Sequence, residues 1–414
     1  MQNILTIILI SSLLFPQKIF ESFDYNSNHS FVGINSYEFT VDEDGKENRT
    51  LIIKDIFGDI TIVGQETYKV NIQEEIKIKS SSKYDAKKYY QENQSKIKKS
   101  ADGNMIEIRG NSRPRKSVYY NFTITLPEQF SIKTMITGGD IDITNISGVA
   151  HVITSGGDIE LKEISGKIEA KTSGGDVEVS DSEGNVNLTS SGGDIVVSYT
   201  DGQISGTTSG GDIIVRHVEG DVDVSTSGGS IDFSYINSQN IVGITSGGDI
   251  DAADIRGNIE LRTSGGDITV EDIDGNFYGK TSGGDIDLES VNGNVEIYSS
   301  AGSIQGFNLA GIVQAKTSSG DIEIYKIWNR KLDRHDINLV TSFGDIILNI
   351  PGEFPATINA RISGNKSSYE IESDLPITIT TDFYNIYGRS VNGAGTYSVE
   401  LQTTNGDINI EEEN

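Results

Sequence analysis

The sequence predicts an all-β protein, a parallel β-solenoid with 18-residue coils. Three observations support this fold class. The string TSGGDI recurs from Thr137 onward, each interval contains two short runs of alternating apolar and polar residues, and glycine-containing turns separate the runs. Glycine is abundant, at 46 residues, and proline is scarce, at 6. A fixed period in this range is typical of repeat proteins whose units stack on one another.

The aspartate of the repeat marks one corner of each coil. From Asp140 to Asp345, successive copies are 18 residues apart, except for one interval of 19 near Ser238 and one of 24 that contains YKIWNRKLDRHD. The copies that keep the triplet GGD have Asp140, Asp158, Asp176, Asp194, Asp212, Asp249, Asp267 and Asp285. Substituted or degenerate copies have Ser230, Ser303, Asp321, Asp345 and Asp407.

The sequence pattern predicts that each coil consists of two half-coils, and that each half-coil is a short strand followed by a turn. After Asp176, Val177 and Val179 alternate with a polar residue, Gly184 starts a turn, and a second alternating run begins at Val186. Such alternation between turns predicts strands. The half-coils are too short for a crossover helix, so strands of successive coils must stack in parallel, about 4.8 Å apart. Inward glycines should leave voids unless neighbouring coils fill them, as at Gly206, Gly279 and Gly306.

The regular repeat divides the chain into four segments. An apolar run over Ile4–Phe15 is too short to cross a bilayer but fits a signal peptide, which we place at residues 1–22. Residues 31–136 should form a strand-rich N-terminal cap with first coils, including FGDITIVG and one short helix within KYDAKKYYQENQSKIKKS. Residues 137–350 hold the regular coils, and residues 351–414 the C-terminal coils and cap.

Charge and composition exclude several classes of function. The net charge is -28, and nearly all of it lies beyond residue 136. Such a surface repels nucleic acid and anionic lipid and favours cations or basic partners. The absence of cysteine excludes disulfides and thiolate chemistry, and no two of the four histidines have metal-ligand spacing. We expect no cofactor, and no stable membrane insertion after removal of the leader.

The GGD turn allows two interpretations. Glycine can supply a positive φ while the aspartate accepts hydrogen bonds from the amides of its own turn. Alternatively, because stacked carboxylates about 5 Å apart would repel by about 3 kcal/mol at a dielectric constant of 20, cations could bind there. The calcium candidates are Asp158, Asp176, Asp194, Asp212, Asp249, Asp267 and Asp285. Calcium-binding β-rolls have their glycine-aspartate motif in both half-coils, whereas here it is in one, which favours diffuse screening.

A threonine column precedes the GGD turn, at Thr154, Thr172, Thr208, Thr226, Thr245, Thr263, Thr281 and Thr317. Its hydroxyls could form a flat ladder presented to ice or sugar. Alternatively, the hydroxyls could form hydrogen bonds with backbone groups of the turn. We favour this second interpretation because a turn immediately follows each threonine.

The segment Tyr325–Asp336 departs most from the repeat and could build a local binding site. Its candidate residues are Trp328, Arg330, Lys331, Arg334 and His335. The alternative, which we favour, is an ordinary surface loop.

The leader, the segment TITLPEQFSIKT, the serial TSGGDI coils and the closing TNGDINI together resemble the adhesin family that is also called Toastrack, over Leu51–Ile410. The resemblance implies a bacterial cell-envelope protein with a β-solenoid fold and no established catalytic residues. It also implies a possible role in envelope-stress signalling, although relatives with that role often have a membrane segment.

These observations predict an exported, non-catalytic scaffold in the periplasm, at the cell surface or outside the cell, binding a protein, a polysaccharide or cations. A polysaccharide-active β-helix enzyme is the first alternative, but it would need long loops to form a cleft. No insertion between Asp140 and Asp321 exceeds one residue, so we expect no cleft there. An envelope-stress signalling scaffold and a structural protein that assembles end to end are further alternatives.

Overall fold

The computed structural model describes residues 17–27, 29–41, 49–101, 103–111, 118–364 and 368–413. It divides into two compact units, Met1–Gly211 (unit 1) and Asp212–Asn414 (unit 2), which are described separately. Strands dominate both units, which confirms the all-β prediction. In the described ranges, no helix is both long and apolar enough to cross a membrane.

The described residues of unit 1 form seventeen strands and one helix, α1 (Lys83–Asn93). The strands are β1 (Gln17–Ser27), β2 (Ser30–Thr40), β3 (Arg49–Lys54), β4 (Gly58–Gln65), β5 (Lys69–Lys79), β6 (Lys96–Lys99), β7 (Met105–Arg109), β8 (Val118–Pro127), β9 (Phe130–Met135), β10 (Ile141–Ser147), β11 (Ala150–Ile153), β12 (Ile159–Ser165), β13 (Ile168–Lys171), β14 (Val177–Glu183), β15 (Val186–Thr189), β16 (Ile195–Asp201) and β17 (Ile204–Thr207).

An antiparallel sheet in the order β1-β2-β5-β8 forms the predicted N-terminal cap. Helix α1 begins after Ser82, whose hydroxyl accepts a hydrogen bond from the backbone N–H of Asp85. The predicted short helix is therefore present, and residues 96–99 of the same segment form β6, which pairs with β7.

Residues 17–22, the last part of the predicted leader, lie in β1, where Gln17 pairs with Glu38 of β2. The remainder of that predicted leader, residues 1–16, lies outside the described residues.

The segment FGDITIVG, predicted as an early coil, contains strand β4 and lies beside the regular coils of unit 1. Its strand β4 pairs in parallel with β10, so that Ile60 lies beside Ile141. Strand β3 pairs in the same way with β9, which then pairs with β11. The cap therefore interrupts a coil rather than preceding the first one.

The regular coils of unit 1 form two stacks of parallel strands. The strand after each GGD turn pairs in parallel with the equivalent strand of the next coil, so that Ile141 lies beside Ile159. The shorter second strand of each coil also pairs in parallel with its equivalent in the next coil. Inward side chains are buried Ile, Val, Leu and Ala. The parallel solenoid predicted from the repeat is therefore confirmed.

Unit 2 continues the same plan within its own boundaries. Its strands are β18 (Ile213–Glu219), β19 (Val222–Ser225), β20 (Ile231–Ile244), β21 (Ile250–Arg262), β22 (Ile268–Asp274), β23 (Phe277–Lys280), β24 (Ile286–Val291), β25 (Val295–Tyr298), β26 (Ile304–Leu309), β27 (Val313–Lys316), β28 (Ile322–Lys326), β29 (Ile337–Val340), β30 (Ile346–Pro351), β31 (Ala356–Ile362), β32 (Ile371–Ser373), β33 (Thr378–Thr381), β34 (Ile386–Val391), β35 (Tyr397–Thr403) and β36 (Ile408–Glu413).

We name two strand stacks in unit 2. Stack A contains the strands that follow the GGD turns: β18, the first half of β20 and of β21, then β22, β24, β26, β28, β30 and β36. Stack B contains the second strands: β19, the second half of β20 and of β21, then β23, β25, β27, β29, β35, β31 and β34.

The C-terminal coil of unit 2 carries an insertion of its own. Ile337 of β29 lies beside Val399 of β35, and Ile346 of β30 beside Ile408 of β36. The residues in between form β31 to β34, of which β31 joins stack B in parallel and β34 continues it antiparallel. Continued coils with longer loops, as predicted for this region, are therefore present.

Aromatic and branched side chains fill the voids expected at inward glycines. A Cβ on Gly279 would lie 2.6 Å from the ring of Phe277, and one on Gly243 would lie 2.6 Å from the ring of Phe233. At Gly306, Leu309 occupies the same space. The glycines make room for large neighbours, so the core stays close-packed.

The regular coils that start at Asp140 to Ser303 each contain a residue in the left-handed region, five positions after the repeat aspartate or serine. The φ angles of Glu163, Asp181, Tyr235 and Asp272 lie between 51° and 56°. This conformation costs a non-glycine residue roughly 1–2 kcal/mol. Because it recurs in each of these coils, it belongs to the corner geometry rather than to one site.

Candidate functional site

The aspartates of the GGD turns form hydrogen-bonded ladders. The Oδ1 atom of Asp158 accepts a hydrogen bond from the backbone N–H of Asp176 at 2.9 Å, and that of Asp176 accepts one from Asp194 at 2.8 Å. In unit 2, the Oδ1 atoms of Asp249 and Asp267 accept hydrogen bonds from the backbone N–H groups of Asp267 and Asp285 in the next coils. The carboxylate thus bonds the turn of the following coil, not its own turn as we expected.

Serine can replace aspartate in this ladder. The N–H of Ser230 donates to Asp212 Oδ1, and Ser230 Oγ then accepts from the N–H of Asp249 at 3.2 Å. A neutral oxygen therefore suffices for the contact. Within the described ranges, no group of three or more His, Asp or Glu residues is arranged to hold a metal ion. Calcium binding by the seven candidate aspartates stays a prediction.

In the copies from Asp158 to Asp285 the glycine pair has a different role from the one predicted, whereas Gly139 of the first copy does have a positive φ, of 111°. Gly174 and Gly175 do not have positive φ. A Cβ on Gly175 would lie 2.2 Å from the carbonyl oxygen of Gly157, whereas one on Gly174 would meet no atom closer than 3.9 Å. The second glycine is required because the backbones of neighbouring coils approach closely at that point.

The threonine column satisfies backbone groups of the turn. Thr172 is fully buried, and its hydroxyl donates to Gly157 O at 2.8 Å and accepts from the N–H of Gly175 at 3.3 Å. Thr281 makes the same two contacts in unit 2. These hydroxyls face the turn and present no ladder to solvent, which confirms the structural interpretation.

The segment Tyr325–Asp336 is anchored by two buried basic residues. Lys326 is fully buried, and its Nζ donates to the carbonyl oxygens of Leu309, Ala310 and Ile327. Burial lowers the pKa of Lys326 to about 7. His335 is also fully buried, with Nδ1 2.7 Å from Ala310 O, and burial lowers its pKa. His335 therefore holds the segment in place and is not exposed to a ligand.

The other candidates in this segment are mostly engaged in local contacts. The guanidinium of Arg330 lies over the ring of Trp328 at 4.3 Å and pairs with Glu353 at 3.0 Å. Arg334 pairs with Asp336. Lys331 is exposed. The structure brings these residues into one region but does not form a cavity from them.

The outward face of stack A is acidic. Outward carboxylates recur along it at Asp232, Asp251, Glu271, Asp287, Glu289 and Glu323. Glu271 and Glu289 lie side by side on paired strands. Burial, followed by the neighbouring Asp285 and Asp267, raises the pKa of Asp287. Arg216 pairs with Asp232 at 2.8 Å at one end of this face.

The outward face of stack B differs from stack A in both charge and chemistry. Arg262, Lys280, Tyr298 and Lys316 occupy equivalent positions on successive strands, and Glu260, Tyr278, Glu296 and Gln314 occupy the neighbouring row. Farther along the stack, Arg361 and Arg389 add positive charge and Glu400 adds one carboxylate. We call this surface, from Glu260 to Arg389, the stack B face.

Aromatic and charged groups contact one another across the coils of the stack B face. The guanidinium of Arg262 lies 4.5 Å from the Tyr278 ring centre, and the Tyr278 and Tyr298 rings are 6.1 Å apart. Arg262 also pairs with Glu260, which raises the pKa of Arg262. The Tyr298 hydroxyl donates to Glu296, a bond that raises the pKa of Tyr298 to about 12.

Two grooves lie on the stack B face. The first, of about 420 Å³, has Glu260, Tyr278, Glu296 and Gln314 along its floor and a row of asparagines along its edge. The second, of about 380 Å³, is lined by residues that include Asn338, Asn359, Arg361, Arg389 and Glu400. The first lies between Asp140 and Asp321, where we expected no cleft built from long loops, and it is an open groove of a different kind. Outward side chains of unequal size create it, without any long loop.

The asparagines at the edge of the first groove form a partly satisfied ladder. Asn258 Oδ1 accepts from the N–H and Nδ2 of Asn276, Asn276 Oδ1 accepts from the N–H of Asn294, and Asn294 Oδ1 accepts from Ile312. In the described part of the chain, the Nδ2 groups of Asn258 and Asn294 have no hydrogen-bond acceptor. They remain available as donors at the groove.

The sequence alone did not single out Glu260 and Glu296 or their neighbours as a site. The signal was present, because Arg262, Lys280, Tyr298 and Lys316 are spaced by 18 residues. The contribution of Arg361 and Arg389 depends on the C-terminal insertion and has no such signal.

Comparison with known proteins gives one family match. Residues 213–411 match the family model Toastrack DUF4097, which confirms the predicted resemblance for the second half of the chain. No curated protein matches. The crystal structure of a "putative cell adhesion protein" from Clostridium sporogenes ATCC 15579 is 11% identical, with 91% of this chain and 99% of that chain covered and a TM-score of 0.16. A TM-score of that size does not establish a shared fold.

Proposed function

Residues 213–411 of this chain belong to the Toastrack family, and we propose that the protein is a non-catalytic, adhesin-like binding scaffold of the cell envelope. The observation that supports this function is the stack B face, a broad polar surface with half-exposed tyrosines and cations on an otherwise acidic protein. A stacked β-sheet holds such side chains at fixed spacing, so little conformational entropy is lost on binding.

The stack B face resembles a binding surface more than a catalytic centre. Glu260 and Glu296 lie on strands two apart, about 9.6 Å from each other, near the separation of roughly 6.5–9.5 Å in inverting glycosidases. However, Glu260 is ion-paired with Arg262, and Glu296 accepts a hydrogen bond from Tyr298. Neither carboxylate is in the apolar setting that keeps a general acid protonated.

A polysaccharide-active enzyme is therefore the second candidate function. Incubation of the protein with soluble polysaccharides should release no new reducing ends. Release that is abolished by Glu296→Gln would favour the enzyme and overturn the non-catalytic proposal.

The test of the scaffold function is retention on cell surfaces. We expect the fluorescently labelled full chain to bind intact bacterial cells or host cells, and a Tyr278→Ala/Tyr298→Ala variant to be retained less. Glu289→Gln on stack A is the matched control and should bind like the wild type. Equal retention of all three proteins would remove the stack B face from the proposal.

The envelope location can be tested separately. Fractionation of the native host should recover the protein outside the cytoplasm, with a shortened N-terminus. Recovery of the unprocessed chain from the cytoplasm would contradict the location without affecting the binding test.

A further inference from the structure

We propose that the stack B face binds an acidic polysaccharide that lies across the strands, along the direction in which the coils stack. This inference rests on the proposed binding function and names its ligand class. Four observations support it: the contrast in charge between the two stacks, cations without ion-pair partners, two half-exposed tyrosine rings on adjacent strands, and carboxylates that interrupt the cations.

The charge contrast points to an anionic ligand. From Glu260 to Arg389, the stack B face presents five cations, Arg262, Lys280, Lys316, Arg361 and Arg389, and three carboxylates, Glu260, Glu296 and Glu400. Stack A presents mainly carboxylates. The two stacks are about 10 Å apart, and the Debye length at 0.15 M ionic strength is about 8 Å. Salt therefore screens the acidic stack from a ligand on the basic one.

Several of these cations are free to bind an anion. Across the described residues, Lys280, Lys316 and Arg389 form no ion pair. The Lys316 ammonium lies 5.9 Å from the Tyr298 ring centre, which holds the charge near the surface without neutralising it. Unpaired cations spread along the stack match a polymer whose acidic groups recur along its chain.

The tyrosines and amides fit a sugar better than a protein surface. Tyr278 and Tyr298 expose flat rings with polar edges, on which the C–H face of a pyranose can stack. The amide donors of Asn258 and Asn294 can reach hydroxyl or carboxylate oxygens. The side chains that face outward on strands β21, β23, β25 and β27 are charged or polar, whereas protein interfaces usually have a desolvated apolar centre.

The carboxylates of the stack B face disfavour nucleic acid. Aromatic rings with cations can bind single-stranded nucleic acid, which has one phosphate per nucleotide. Glu260, Glu296 and Glu400 interrupt the cations and would repel such a backbone. The same carboxylates can accept hydrogen bonds from sugar hydroxyls, so a polymer that combines hydroxyls with spaced acidic groups fits best.

The length of the face suggests the size of the ligand. Eight strands, from β21 to β34, contribute to it. At about 4.8 Å per strand the face is about 34 Å long, enough for roughly seven sugar residues at about one per strand.

The decisive experiment compares two polymers that differ only in charge. Polygalacturonate and its fully methyl-esterified form are titrated against the full-length protein at physiological ionic strength. We expect polygalacturonate to bind with an affinity that falls as salt is added, and the ester to bind at least about tenfold more weakly. Equal affinity for both polymers would overturn the proposal, as would equally tight binding of single-stranded DNA of similar length.

Matched variants locate the binding on the molecule. Lys280→Gln/Lys316→Gln should raise the Kd for polygalacturonate by about tenfold, and Tyr278→Ala should also weaken binding. Glu289→Gln on stack A is the control and should leave the Kd unchanged. Exposed positions are chosen so that folding is retained, which circular dichroism would verify. An unchanged Kd in the lysine variant would contradict the proposed surface.

Failure of this inference can be distinguished from failure of the proposed function. If polygalacturonate does not bind but the stack B variants still reduce retention on cells, the scaffold function stands and the acidic polysaccharide is excluded. If neither assay depends on the stack B face, both proposals are overturned.

Discussion

The Oδ1 atom of Asp59 accepts a hydrogen bond from the backbone N–H of Asp140 at 3.1 Å, although the two residues are 81 positions apart. The C-terminal coil repeats this relationship, since Asp345 Oδ1 accepts from the N–H of Asp407 at 2.7 Å across 62 positions. The aspartate contact thus joins coils across both insertions, and it identifies Asp59 as the repeat aspartate of the coil that precedes Asp140.

Removal of one ladder oxygen should be more damaging than removal of its charge. We expect Asp176→Ala to lower the free energy of unfolding by about 1–2 kcal/mol, because the N–H of Asp194 loses its acceptor. Asp176→Asn keeps an oxygen at that position and relieves repulsion between stacked carboxylates, so it should be close to neutral. Urea denaturation followed by circular dichroism measures both. Equal destabilisation would show that the charge itself is required.

The two glycines of one turn should differ in their tolerance of a methyl group. Gly175→Ala places a Cβ against the Gly157 carbonyl and should destabilise the protein by about 2 kcal/mol or more. Gly174→Ala meets open space and should change stability by less than about 1 kcal/mol. Thermal unfolding of the two variants side by side tests this. Similar melting temperatures would contradict the close approach of the backbones.

Stability should depend on pH through Lys326. Its pKa is lowered from 10.5 to about 7 in the folded protein, so between these values the unfolded chain binds more protons. The free energy of unfolding should therefore rise with pH from about 7 to about 10.5, by an amount on the order of 3 kcal/mol. Below pH 7 both states are protonated and the full cost of burying the charge remains.

The matched variant for this prediction is Lys326→Met, which removes the titrating group. It removes the ammonium from three carbonyl oxygens, although Leu309 O keeps the N–H of Ile327 and Ala310 O keeps its contact with His335 Nδ1. The variant should be less stable overall, but the rise in stability attributable to Lys326 should disappear. The quantity to compare is therefore the slope of the free energy of unfolding against pH, not its absolute value. Parallel slopes for wild type and variant would show that Lys326 keeps its ordinary pKa.

Calcium should have little specific effect on stability. Each ladder aspartate already uses one oxygen for a backbone N–H, and serine replaces it at Ser230 and Ser303. We expect melting temperatures in EDTA and in millimolar calcium to differ only as much as they do with magnesium, through screening. A large rise with calcium alone would mean that the aspartates form specific sites.

The coil was predictable because its pattern is local and repeats. Val177, Val179, Val186 and Leu188 alternate with polar residues, which specifies two strands and their inward faces. The role of Gly175 was not predictable, because it depends on the distance between coils rather than on the φ angle of the turn. The burial of Lys326 and His335 was not predictable for a related reason. Both residues are polar and lie in a segment that the sequence suggests is a surface loop, but the structure buries them.

The stack B face was not predicted from the sequence. Each strand alone shows only that its polar residues face outward. The pairing of Arg262 with Tyr278 and of Tyr278 with Tyr298 depends on register between coils, which becomes visible only when the repeats are aligned. Arg361 and Arg389 join the face through strands that have no repeat counterpart.

The opposite charges of stacks A and B give unit 2 an electric dipole perpendicular to the strands. Near an anionic polymer layer, such a dipole turns the basic side inward before any specific contact forms. The acidic side is then directed away from the layer, where it repels the acidic sides of further copies. Adsorbed molecules would therefore share one orientation and stay laterally separated. They would form a monolayer rather than an aggregate.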